Sequence, residues 1–240
     1  MRTSRNWIVA AGCVGLALAT SSTVQAQEQY ESPSYFNQKV RAPRDAFELG
    51  VTAGYSQGTM APAAGYTATD LTKAGGSFGV HAGYRFMPEF ALHLFGEYNE
   101  FVPGNSLSAS NAGVRGGVAG INGTFHLLPY NRIDPWVRLG VGYRSLWVTG
   151  DPNVPDTNWH GFQLAKLEIG ADLRTDESIA IGPAIGVDLS EFVWRNPAGA
   201  AGDQEIADKR IIPFVYAGLQ GRFDLGGIRE RRGEALGASR

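Results

Sequence analysis

Residues 135–147 alternate strictly. Val137, Leu139, Val141 and Tyr143 share one parity, and Arg138, Gly140, Gly142 and Arg144 share the other. Successive side chains of a strand point to opposite faces, so a period of two held this long argues a β-strand with one apolar face and one of glycine and arginine. The run also exceeds the usual strand of about 5–6 residues. A long strand of this kind suits the wall of a closed barrel that crosses a bilayer.

The same period recurs along the chain. Phe47, Leu49, Val51, Ala53 and Tyr55 alternate with Glu48, Gly50, Thr52 and Gly54; Phe78, Val80, Ala82, Tyr84 and Phe86 alternate with Gly79, His81, Gly83 and Arg85. Leu92, Leu94 and Tyr98 alternate with His93, Phe95, Glu97 and Asn99. In the glycine-rich stretch 113–127, Ala119, Ile121 and Phe125 mark the apolar face. Leu167, Ile169 and Ala171 then alternate with Lys166, Glu168, Gly170 and Asp172; Ile185, Val187 and Leu189 with Gly186, Asp188 and Ser190; and Val215, Ala217, Leu219 and Phe223 with Gly218, Gln220, Arg222 and Asp224. Long breaks at 56–75, 102–112, 149–159 and 194–209 alternate with short ones at 87–89, 129–135 and 174–178. Eight such segments, of about 10 residues each, predict an all-β fold: an eight-stranded antiparallel up-and-down transmembrane β-barrel over 46–225, with short periplasmic turns and four longer extracellular loops.

The flanks differ. Arg2 and Arg5, the uncharged apolar run 7–19 and the ending Val24-Gln25-Ala26 read as a secretory signal peptide, residues 1–26, cleaved after Ala26. The single cysteine, Cys13, lies inside it, so the mature chain is expected to carry no disulfide. Residues 27–45, polar and with Pro33 and Pro43, read as a weakly ordered periplasmic lead-in, and 226–240 as a polar C-terminal tail.

Periodicity alone does not say which face meets lipid. A soluble, lipocalin-like periplasmic ligand binder would place the apolar face inside; a membrane barrel inverts it. Glycine, 32 of 240 residues or about 13% against an ordinary ~7%, concentrates on the polar parity, where a narrow interior has room for little else between long side chains. Aromatics gather at segment ends (Phe47 and Tyr55, Phe78 and Phe86, Phe90 and Tyr98, Tyr143 and Trp147), as interfacial girdles do. The polar parity carries Arg85, Arg138, Arg144, Lys166 and Arg222 against Glu48, Glu97, Glu168, Asp172, Asp188 and Asp224. Charges enclosed in a narrow lumen must be paired, so this near-balance predicts a filled, ion-paired interior. With 21 Lys+Arg against 23 Asp+Glu overall, nothing calls for a nucleic-acid partner.

The elements His81-Ala-Gly-Tyr-Arg-Phe86 and Gly140-Val-Gly-Tyr-Arg144, the stretch 132–140, and the closing segment 215–223 with its aromatic Phe223 resemble the eight-stranded outer-membrane proteins of Gram-negative bacteria, of the OmpA-barrel, OmpX and opacity-protein type. The resemblance covers about 46–225. It implies residence in the outer membrane, lipid as surroundings, and recognition of Phe223 by the barrel-assembly machinery. It also implies a non-enzymatic role in envelope structure or in surface interaction through the loops, for which the sequence names no ligand. The tail is too short for the peptidoglycan-binding domain of larger relatives.

No cofactor or metal site is expected. The histidines 81, 93, 126 and 160 show no metal-ligand spacing, and there is no nucleophile elbow. Alternatives are a lipid A deacylase-like enzyme, for which His126 reads as the only histidine within a strand able to face outward, and a narrow-pore channel. His81 and His93 fall on the lumen parity one strand apart.

Overall fold

The computed structural model describes residues 38–59, 72–107, 111–152 and 155–231, all within one compact unit, 33–240. The expected signal peptide and its cleavage point lie outside the described residues, as do most of the lead-in, parts of three loops and the end of the tail. Every described element is a strand: β1 (Ala42–Arg44), β2 (Ala46–Gly58), β3 (Thr72–Met87), β4 (Phe90–Pro103), β5 (Gly113–His126), β6 (Ile133–Thr149), β7 (Thr157–Arg174), β8 (Ile179–Pro197), β9 (Gln204–Glu205), β10 (Ile211–Leu225) and β11 (Ile228–Glu230).

Sequential strands β2 to β8 pair antiparallel, and β10 pairs with both β8 and β2, closing an eight-stranded up-and-down barrel. Closure leaves no open sheet edge in the wall, the condition for strands to cross a bilayer. The alternation seen in the sequence becomes alternation in space. Phe47, Leu94, Leu139 and Leu219 are 64%, 68%, 62% and 58% exposed, whereas Glu48, Arg85, Asp172 and Arg174 are completely buried.

The exposed apolar residues form a belt around the barrel. At the end carrying the short turns it is rimmed by Phe47, Tyr84, Phe86 and Phe90, whose successive ring centroids are 5.2, 5.0 and 6.3 Å apart. At the loop end, the Tyr55 hydroxyl donates to Gln57 Oε1 at 2.6 Å, the Tyr98 hydroxyl bonds Glu100, and the Tyr143 hydroxyl meets His160 Nδ1 at 2.5 Å. Tyrosines with rings in the belt and hydroxyls on polar neighbours mark the boundary where lipid gives way to water. From Phe47 to Tyr55 the belt is about 20 Å tall, for a rise of ~3.3 Å per residue and a tilt of ~40°, close to the ~25 Å of known outer-membrane barrels.

Two expectations need correction. Strands of 17, 18 and 19 residues at β6, β7 and β8 run well past the anticipated loop boundaries, taking in Thr157–Trp159 and Trp194–Pro197. Inward residues at the loop end are apolar, not polar: Leu146 and Val148 of β6, Trp159 of β7 and Phe192 of β8 join Phe101, Leu107, Val114, Ile206, Ile212 and Phe214 in one buried cluster. The weakly ordered flanks are also paired where they are described, β1 with β11.

Candidate functional site

Among the described residues, most buried charged side chains lie in the lumen, and its contents are layered. Nearest the turn end lies a charged floor. Arg85 donates through Nε to Glu48 Oε1 (2.6 Å), and Glu48 Oε2 also receives His93 Nε2 (2.7 Å). Arg222 Nη1 lies 2.6 Å from Asp172 Oδ2, with Glu48 and Asp224 3.5 and 3.4 Å from its Nε. Arg174 Nη1 donates to Asp224 Oδ2 at 3.0 Å. Asp172 Oδ1 accepts from Trp136 Nε1 (3.1 Å) and Gln220 Nε2 (2.7 Å).

Midway along the bore, Arg138 uses its whole fork: Nε to Thr124 Oγ1 (3.0 Å), Nη1 to Glu168 Oε2 (3.1 Å) and Nη2 to Gln220 Oε1 (3.1 Å), with the Trp136 ring 4.6 Å below its guanidinium. Lys166 bonds Glu97, lies 3.4 Å from Glu168 and sits 4.9 Å over the Phe95 ring. Higher again, Arg144 pairs with Asp188 (2.8 Å) and Ser190 (3.0 Å) while stacking 4.0 Å over Phe214, the start of the apolar roof. Thus all eleven charged residues singled out from the sequence point into the lumen, where Arg144 pairs with Asp188 of β8.

Three residues were misplaced by the sequence. Asp134 and Arg174 read as turn residues yet are buried members of the floor. His126 read as outward-capable, but it is 1% exposed and points inward. Its Nε2 lies 2.5 Å from Arg85 Nη2 and 3.2 Å from Arg222 Nη1. Guanidinium groups only donate, so Nε2 accepts from both and Nδ1 carries the proton given to Asp134 Oδ2 at 2.8 Å. The imidazole is therefore neutral in this arrangement. His126, Asp134 and Asp172 bring ligand atoms within 4.8 Å of one another, but Arg85 and Arg222 are bonded into that group, and two fixed cations oppose a metal ion there.

The middle layer of the lumen leaves little space. Between Thr52, His81, Phe95, Glu97, Arg138 and Glu168 remains about 10 Å³, room for one water. Large side chains face glycines across the ladder: Trp136 opposite Gly170, Phe95 opposite Gly120, His81 opposite Gly50. A Cβ on Gly50 would collide with the His81 imidazole, whose ring atoms are the three nearest to it, at 2.1–2.9 Å. Gly50→Ala is accordingly expected to cost ~1–3 kcal/mol. The cost should shrink in a His81→Ala background, a coupling measurable as a double-mutant cycle in urea titrations of the vesicle-embedded protein.

Outside the lumen, the outward strand histidine is His160, which the sequence placed beside a loop. It joins the Tyr143 hydroxyl (2.5 Å) to Asp203 (3.3 Å) at the loop-end edge of the belt and stacks on Trp194, ring centroids 5.6 Å apart.

Neither a protein-family model nor a curated protein sequence matches the chain. Solved structures do. AlkL, determined in lipid bilayers by solid-state NMR, is 12% identical over 88% of this chain and 100% of its own, with a TM-score of 0.50. Neisserial surface protein A is 10% identical over 74% of this chain and 96% of its own (TM-score 0.49), and OprG of Pseudomonas aeruginosa 13% over 75% and 98% (TM-score 0.44). At such identities the likeness concerns the fold, and with the closed ring, the inverted polarity and the aromatic rims it leads to one conclusion: the chain has the fold of the eight-stranded outer-membrane β-barrels.

Proposed function

We propose that this protein is a non-enzymatic outer-membrane barrel with a closed bore, serving envelope structure or surface interaction through its loops. Its turns would face the periplasm and its loops the exterior. The observation that carries this reading is the layering of the lumen, a charged floor, ion pairs at mid-height and an apolar roof, with about 10 Å³ between the side chains of the middle layer. Reconstituted in planar lipid bilayers, the protein should show no stable conductance steps; a persistent open channel would replace this reading with the narrow-pore one. Phe223, 44% exposed on the closing strand β10, suits recognition by the barrel-assembly machinery.

One observation favours an enzyme acting on outer-leaflet lipid: the Tyr143–His160–Asp203 chain at the belt's edge has the order hydroxyl, base, orienting carboxylate. Against it, the flanking residues are paired in the β6–β7 ladder, which engages backbone N–H groups that an oxyanion site would need. Mass analysis of lipid A from expressing cells decides: loss of an acyl chain, abolished by His160→Ala, would establish the enzyme.

A further inference from the structure

The closing seam of the barrel continues past the wall. Phe47 faces Leu225 at the end of the β2–β10 ladder, and Arg44 faces Ile228 in β1–β11. The register is unbroken, and by the same count Asp45 falls opposite Gly227. At that rung both chains turn: φ is 51° at Asp45, 68° at Gly226 and 72° at Gly227. Positive φ on both strands at one level makes a shared kink, which glycine takes freely and aspartate tolerates. The kink is also tight, since a Cβ on Gly227 would lie 2.5 Å from the Arg44 carbonyl oxygen and 2.7 Å from Ala46 Cβ.

Beyond the kink the lead-in leaves its own wall. Val40 N–H donates to the Tyr130 carbonyl (2.9 Å), Arg132 N–H to that of Gln38 (3.3 Å), and Lys39 Nζ to Asn131 Oδ1 (2.5 Å). These partners form the turn between β5 and β6, and β6 stands fourth from β2 in a ring of eight, on the far side of the barrel. Residues 40–46, with a reach of about 20 Å when extended, must therefore cross the mouth. The other strand of the ribbon is tied to the rim: Arg229 Nη2 donates to the Asp224 carbonyl (3.0 Å) and to Ser178 Oγ (3.2 Å). Under this crossing, Glu48, Asp134, Asp172 and Arg174 are all 0% exposed, although they lie at the end of the barrel, and Ala42 and Ala46 of the crossing segment are buried as well.

We propose that residues 38–44 and 228–230 form a lid over the turn end, hinged at Asp45 and Gly226–Gly227 and latched on the β5–β6 turn, which controls the access of water and small ions to the charged floor. The lid deepens the closed-bore reading and rests on it, but it is tested separately, because it concerns entry from one end and not passage through.

The test is thiol labelling in a Cys13→Ser background. Ala91, completely buried at the inward start of β4 and outside the lid, becomes the reporter as Ala91→Cys; Val148→Cys, in the apolar roof, is the control. The full chain, folded in phosphatidylcholine vesicles, is treated with a small cationic methanethiosulfonate. Deleting 38–44 should speed labelling at 91 by at least about ten-fold and leave position 148 unchanged, since only a local opening is involved. Gly227→Val, which forces the ribbon apart at its kink, should act in the same direction and decides the matter if the deletion does not fold, as judged by heat-modifiable migration. Unchanged labelling at 91 in a folded variant overturns the lid, as does an equal rise at both positions. Fast labelling at 148 in the unaltered chain would instead sink the closed bore.

Discussion

Arg222→Ala is expected to cost about 3–5 kcal/mol of folding stability, the loss typical of breaking a buried charge cluster by removing one partner. The side chain is 2% exposed and is the one cation that touches Asp172, Glu48 and Asp224 together, while also donating to His126. Its loss leaves the buried floor carboxylates Glu48, Asp134, Asp172 and Asp224 short of the cation that touches three of them. Arg222→Met should fare no better, because the defect is unmatched charge and not missing volume. Adding Asp172→Asn to Arg222→Met should recover part of the loss. Arg115→Ala provides the contrast: its pair with Glu100 is more than half exposed on both sides, and the change should cost about 0–1 kcal/mol. Urea titrations of refolding into vesicles, followed by heat-modifiable migration, give all four values. An Arg222→Ala as mild as Arg115→Ala would mean that the floor is hydrated.

The barrel was legible in the sequence because a strand's side chains obey a period of two wherever one face meets lipid and the other a lumen. Parity alone placed Glu48, Arg85, Arg138, Arg144, Lys166, Glu168, Asp172, Asp188, Arg222 and Asp224 inward. What parity could not convey is height. At the loop end the interior becomes apolar, so Leu146 and Val148 continue β6 with no polar partner face to announce them. Trp159 and Phe192 were hidden for the same reason, and the prolines nearby read as the start of loops. A bulge in β7 between Gln163 and Ala165 also interrupts the alternation just where the strand's upper half begins. At the turn end, Asp134 and Arg174 sit beside Pro135 and a polar turn, and only closure of the ring shows that they face Arg222 and Asp224. The ribbon of β1 and β11 joins segments almost two hundred residues apart that have no apolar period, so nothing local reports it.

Leu139→Arg is expected to cost about 2–4 kcal/mol in a bilayer, because Leu139 lies mid-belt on β6, 62% exposed, where a guanidinium would have to stay in hydrocarbon. On the same strand and the same face, Ser145→Arg lies one step beyond Tyr143, whose hydroxyl marks the boundary, and should cost only about 0–1 kcal/mol. Depth is the discriminating variable. A water-soluble barrel of inverted polarity would bury Leu139 and leave Ser145 on the same buried face, so both arginines would be damaging. A barrel whose belt meets detergent or lipid punishes the first alone. The two substitutions, compared by urea titration in vesicles and by recovery in the outer-membrane fraction, therefore measure where the membrane begins. Equal costs at 139 and 145 would contradict the belt, whereas a gradient falling toward Tyr143 would place the loop-end surface of the bilayer at the row of Tyr55, Tyr98 and Tyr143.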